Sequence, residues 1–224
     1  MEQNIQKKTL AQQVTEKLRA EILQNVLPSG SHITIQNIAQ RYNTSPLPVR
    51  EAFNALAGEN LLELIPYKGA VIRPIDRLFF ENIYDIMTAL EVLSIESCIQ
   101  NWTPELHERL TSVNDRIRNL KTEKQVKANY SALNIEFHGL IEQFYHNSRA
   151  FELLAQYRKL VDMVLGNRAR SLQRAKEAAE EHQRLIDALA RGSVSEARTA
   201  FLEHGYRSRN LSVDTMFGPA QKAE

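Results

Sequence analysis

The stretch Ser45-Pro46-Leu47-Pro48-Val49-Arg50-Glu51-Ala52-Phe53 decides the fold. Ser45 favours an N-cap, and Pro46 suits the first helical position, where no backbone N–H is needed. Pro48 still lies in the first turn, where donors are unpaired in any case. The spacing predicts a helix that runs to about residue 58. Two helices precede it. One covers about residues 8–26, with Leu10, Val14, Leu18 and Ile22 as an apolar stripe at every fourth position. A short one covers about 34–42, with Ile35, Ile38 and Ala39 inward. An extended pair over 61–65 and 70–73 follows, joined by Pro66-Tyr67-Lys68-Gly69. Three helices and a small hairpin make a winged helix-turn-helix, a unit whose usual task is reading DNA.

On this reading the third helix enters the major groove by its N-terminal end. Arg50, one turn in, carries a planar fork that can grip guanine or phosphate. Thr44 and Ser45 sit where hydroxyls and backbone amides can hold a phosphate. Lys68 and Gly69 form the wing tip, where Lys68 supplies charge and Gly69 allows close approach to the minor groove.

The remaining two thirds reads as helical. After a linker at residues 74–77, a first helix holds Ile83, Ile86, Leu90, Leu93 and Ile95 and stops near Asn101. Further helices are predicted at about 104–121, 126–146, 149–170, 172–191 and 194–212, with Gly192-Ser193 between the last two. The expectation is a mainly α chain of two domains. Residues 1–75 form the winged helix-turn-helix, and 76–224 form an antiparallel bundle of about six helices. Three histidines fall on separate helices of that bundle, namely His138, His182 and His204. Asn134 shares a face with His138 one turn away. Three imidazoles suit zinc, nickel or a similar borderline ion.

Residues from about 10 to 74 resemble the DNA-binding domain of GntR-type bacterial regulators. The matching residues are Leu18-Arg19-Ala20-Glu21-Ile22, Pro28-Ser29-Gly30, Ile38-Ala39, Pro48-Val49-Arg50-Glu51-Ala52, Leu56, Leu61 and Gly69. The rest resembles the all-helical ligand domain of the FadR branch, the FCD domain, through Leu133-Asn134-Ile135-Glu136-Phe137-His138, Glu181-His182 and His204. The resemblance implies DNA-contacting roles for Gln36, Ser45, Arg50, Lys68 and Gly69. It also implies a metal site of an Asp and a His one turn apart plus two later His. This chain departs at three places. Pro46 stands where many relatives have arginine, Gln36 where a charged residue is common, and Asn134 where the metal-binding Asp belongs. An amide oxygen brings no negative charge, so weaker metal binding is expected. Relatives also place an acid-gripping arginine on the first bundle helix. Here that position is Met87, three residues after Tyr84, and Arg168 and Arg170 are the candidate substitutes.

Composition sets the outer bounds. The 224 residues carry 28 Lys/Arg against 27 Asp/Glu, and hydrophobic residues at 43% can build a real core. Residues 1–75 hold eight Lys/Arg and six Asp/Glu, a mild basic excess. Cys98, the single cysteine, has no internal disulfide partner and reads as buried. No apolar run is long enough to span a bilayer, and Met1-Glu2-Gln3-Asn4 lacks the marks of a signal peptide, so a cytoplasmic protein is expected. The leading reading is a homodimeric repressor that binds a double-stranded DNA operator and releases it on binding a small effector, an organic acid among the candidates. Two others stand beside it. One is a metal-dependent enzyme with an appended DNA-binding-like domain, and the other is a metal-stabilised regulator with no organic effector.

Overall fold

The computed structural model describes residues 8–166, 168 and 170–219. The chain divides into two compact units, Met1–Asp76 and Arg77–Glu224.

The first unit holds α1 (Leu10–Leu23), β1 (His32–Ile33), α2 (Ile35–Arg41), α3 (Pro46–Gly58), β2 (Leu62–Ile65) and β3 (Gly69–Ile72). Val14, Leu18 and Ile22 of α1 are buried with Ile38 and Ala39 of α2 and Val49, Ala52, Phe53 and Leu56 of α3. Leu10, expected at the head of the buried stripe, is exposed, because α1 begins only at that residue and its core-facing turn starts at Val14. Buried Arg19 of α1 clamps Glu59, just past the end of α3, with Nε donating to a carboxylate oxygen at 2.6 Å. The hairpin pairs Leu62 with Ile72 and Ile65 with Gly69, and β1 adds to its other side through His32–Val71 and Ile33–Ala70. A two-residue strand shows no alternation, so its pairing is fixed by the partner and not by its own pattern.

Gly69 is needed inside the sheet. Its φ is +112°, and a Cβ there would lie 2.2 Å from the carbonyl oxygen of Ile33. The close approach that glycine permits is therefore to β1. Tyr67, at φ +62°, makes the wing turn and leaves its ring fully exposed.

The second unit holds seven helices among the described residues: α4 (Arg77–Val92), α5 (Ile95–Gln100), α6 (Pro104–Arg118), α7 (Glu123–Glu142), α8 (Ser148–Leu165), α9 (Leu172–Ala190) and α10 (Val194–Phe217). The expected single helix from the linker to Asn101 is two. The Ser94 hydroxyl donates to the Glu91 carbonyl at 2.6 Å, which competes with the helical ladder and breaks it there. α8 stops at Leu165 because Gly166, at φ +52°, leaves the helical region. Thr103, Thr122, Asn147, Ser171 and Ser193 cap their helices by accepting from the backbone N–H three residues on. The core joins Ile95, Cys98, Leu110, Phe137, Leu185 and Phe201 from α5, α6, α7, α9 and α10. Gly205 lets α10 close on α4, since a Cβ there would lie 2.4 Å from Thr88 Oγ1.

Gly69→Ala is expected to destabilise the full chain by about 1–3 kcal/mol in urea denaturation, the usual range for one strained backbone position. A change below about 0.5 kcal/mol would mean that β1 yields freely.

Candidate functional site

In the first unit, the expected reading residues fall on the surface. Gln36, Ser45, Arg50 and Lys68 are exposed, and Thr44 and Gly69 are half-buried. Arg50 makes no ion pair with any described residue, the adjacent Glu51 included. Ser45 occupies the N-cap of α3, yet its hydroxyl caps nothing. The reason is covalent. The capping side chains of α1, α2, α6, α7, α8, α9 and α10 accept from the residue three positions on, and in α3 that residue is Pro48, which has no N–H. Pro46 also lacks one, so the tip of α3 offers the amides of Ser45 and Leu47 and a free hydroxyl.

In the second unit, α7, α9 and α10 bring His138, His182 and His204 together, with one ring nitrogen of each within 4.8 Å of the others. All three are at least 95% buried. His182 stacks on Phe137 with ring centres 3.9 Å apart, and neither of its nitrogens has a hydrogen-bond partner among the described residues. His138 Nδ1 and the buried Oδ1 of Asn134 also lack partners. His204 Nδ1 lies 2.7 Å from a carboxylate oxygen of Glu181. Arg174 donates to both oxygens of that carboxylate, at 3.0 and 2.9 Å, and to the Ser208 hydroxyl at 2.9 Å. Burial works against the Glu181 charge, but the bonds from His204 and Arg174 hold its pKa down to about 2. A fixed carboxylate on Nδ1–H leaves the lone pair of His204 on Nε2.

A cavity of about 140 Å³ opens beside this cluster. Of the expected effector residues, Tyr84, Met87 and Arg170 line it. Arg168 does not, being exposed past the end of α8. Tyr84 donates to the Ser212 hydroxyl at 2.8 Å. The sequence reading missed Glu91, Glu142, Arg158, Arg174 and Glu181 as site residues. Arg158 of α8 bonds Glu91 and Glu142, in one contact at 3.0 Å to Glu142. Glu91, Glu142 and His138 form a second group with metal-ligand types, but Arg158 already supplies the cation there. Arg170 pairs with Asp162 at 2.6 Å. Each guanidinium facing the cavity is thus matched by a carboxylate. Only the i, i+7 spacing of Arg174 and Glu181 on one helix signalled any of this in the sequence.

Residues 82–207 match the family described as FCD domain, and residues 10–72 match that described as bacterial regulatory proteins, gntR family. The chain belongs to the GntR family of bacterial regulators, with an FCD domain as its second part. A "Probable D-xylose utilization operon transcriptional repressor" of Paenarthrobacter nicotinovorans is 28% identical over 201 residues, 88% of this chain and 85% of that one. A "Gluconate operon transcriptional repressor" of Bacillus licheniformis is 23% identical over 173 residues, 76% of this chain and 69% of that one. Among solved structures, that of Lar from Listeria monocytogenes shares the fold, with a TM-score of 0.66 at 16% identity, over 92% of this chain and 98% of that one. The protein is a DNA-binding transcription regulator and not an enzyme. No helix among the described residues is long and apolar enough to cross a membrane.

Burial holds His138 and His182 well below the ordinary imidazole pKa, and His204 below it too. In the unfolded chain these rings protonate near pH 6.5. Below that pH the unfolded state binds protons that the folded state does not, so stability present above about 6.5 is lost as the pH falls. Glu181 works in the same direction at lower pH. Its stabilisation is full above the unfolded carboxylate value and is lost as pH drops toward 2. In chelator-treated protein the melting temperature is expected to fall from pH 7 to pH 5, and His182→Leu to flatten that slope. An unchanged slope in the variant would mean that His182 titrates as an exposed ring does.

Proposed function

We propose that this regulator binds an inverted-repeat operator as a homodimer and represses, and that its helical unit holds a divalent transition metal, zinc or nickel, beside a small-molecule site. Repression follows the names of the relatives. The reading heads are the N-terminal units, with Arg50 on base edges and Lys68 on phosphate; Gln36, Thr44, Ser45 and Gly69 flank them. Two heads need two half-sites, and a palindromic operator mirrors that symmetry. Support for dimerisation through the helical unit comes from α4, whose Leu78 and Ile86, with Leu93 just past its end, are exposed on a helix otherwise built into the core.

The observation that carries the metal reading is His182. A buried imidazole with both nitrogens unpartnered costs about 1–3 kcal/mol per unmet group unless something takes its lone pair. His138, His182 and His204 are the ligands in this reading. Asn134 is the weaker fourth, its unpartnered amide oxygen replacing a carboxylate. Charge lost at Asn134 is supplied behind the ligands, by Glu181 on His204 and by Glu91 near His138, 3.4 Å from Nδ1. When bound, the metal offers open positions to an oxygen donor of the effector.

The three cavity arginines are all paired. An organic acid therefore meets no free guanidinium among the described residues that line the cavity and would depend on the metal for its charge. Met87, with Val161, Leu165 and Leu211, gives the rest of the wall an apolar character. A purely structural metal would leave this cavity without a role, which favours an effector. Ligand binding would then shift the population between arrangements of the two heads that do and do not fit the operator.

Two measurements test the reading. Titration of a selected inverted repeat should give two chains per duplex. Arg50→Ala should cost about 1–3 kcal/mol at that site, while Lys68→Ala should weaken all sequences alike and flatten the salt dependence. Equal affinity for every duplex in the wild type would sink the operator reading. Elemental analysis of protein purified without chelator should find one zinc or nickel per chain, and Asn134→Asp should bind it more tightly. Protein with no stoichiometric metal, and no rise in melting temperature with added zinc or nickel, would return the histidines to a structural role.

A further inference from the structure

One face of α3 is left over when the core is built. Pro48, Val49, Ala52, Phe53 and Leu56 turn inward. Leu47, Arg50, Glu51 and Asn54 are exposed at the i, i+3, i+4, i+7 spacing of a single helix face. Leu47 is the odd member of this set. It is 63% exposed and sits in the first turn, the part of a recognition helix that contacts base edges. Pro46 beside it is exposed as well. Neither side chain can donate or accept a hydrogen bond. The backbone is similarly bare, since Pro46 and Pro48 remove two of the N–H groups that a helix tip normally presents.

An apolar helix tip in the major groove has one base feature to recognise. Of the four bases, only thymine carries a methyl group on its major-groove edge, at C5. We propose that Leu47, backed by Pro46, packs on a thymine methyl and so fixes thymine at one position of each half-site. This rests on the reading of α3 as the helix that enters the groove. The spacing sets where that thymine lies. From Leu47 to Arg50 the helix rises about 4.5 Å, little more than one base-pair step of about 3.4 Å. The thymine is therefore next to, or one step beyond, the base read by Arg50, on the side of the helix N-terminus. The Ser45 hydroxyl, left free by Pro48, lies at the rim of this patch, where a phosphate can use it.

The test uses the full chain and a duplex that it selects from a random pool. Each thymine is replaced in turn by uracil, which removes the major-groove methyl and leaves the pairing and the minor groove intact. One thymine per half-site should be sensitive, with affinity falling about fourfold, the ratio that burial of a single methylene-sized group gives. Leu47→Ala should weaken binding to the thymine duplex and bring the thymine-to-uracil ratio to one. Its melting temperature should match the wild type, because the side chain is exposed. Lys68→Ala should weaken both duplexes and keep the ratio. Selective binding that is indifferent to every uracil overturns the inference alone, as does a sensitive thymine whose ratio persists in Leu47→Ala. A chain that enriches no duplex overturns the groove reading and the inference together.

Discussion

Glu181 is the group on which the helical unit depends. Its carboxylate is buried and takes two bonds from Arg174, seven residues earlier on α9, and one contact from His204 on α10. Arg174 also reaches Ser208 on α10. The set thus ties two helices together through one fixed negative charge. Buried pairs of this kind add little net stability over an apolar core, but loss of one partner leaves an uncompensated charge, at a cost of about 3–5 kcal/mol. That asymmetry holds the His204 ring in one orientation. With Nδ1 engaged, Nε2 is the nitrogen left to face His138 and His182.

The cavity follows from the same rule of compensation. Arg158 sits between Glu91 and Glu142, Arg170 on Asp162 and Arg174 on Glu181. Burial raises the Glu91 pKa above the usual carboxylate range, even though Arg158 opposes the shift. These charges brace the walls and leave none over for a ligand, so polarity inside the cavity comes from Asn134, the histidines and hydroxyl groups. Gly205 and Thr88 also line it, at a point where α10 and α4 leave no room for a Cβ on residue 205.

At the other end of the chain, two prolines shape the reading helix. Pro46 pre-sets the first helical turn. Pro48 removes the donor that a capping Ser45 would engage. The result is a helix tip poor in amide donors, with a free hydroxyl, an apolar pair and, one turn in, an unpaired arginine. On the proposed reading, such a surface would distinguish bases by shape and methyl contact more than by hydrogen bonding, until Arg50 is reached.

The sequence alone determined the elements whose signals are local. Capping residues, first-turn prolines and the four-residue apolar stripes located most helices. The turn at residues 66–69 located the hairpin, and the order of Asn134, His138, His182 and His204 located the cluster. It did not show the break at Ser94, which is a hydroxyl taking a helical carbonyl, or β1, which exists only because β3 offers it an edge. Nor did it show which charged residues join the site. Glu91, Glu142 and Arg158 lie on three helices, and nothing in their spacing sets them apart from the many exposed charges of the chain. Glu136, nearer to His138 in sequence than Glu142, points outward to Arg116. Only the tertiary structure separates them, because the electrostatic identity of a site is fixed by which charges lose their water together, and burial belongs to the packing of helices distant in the chain.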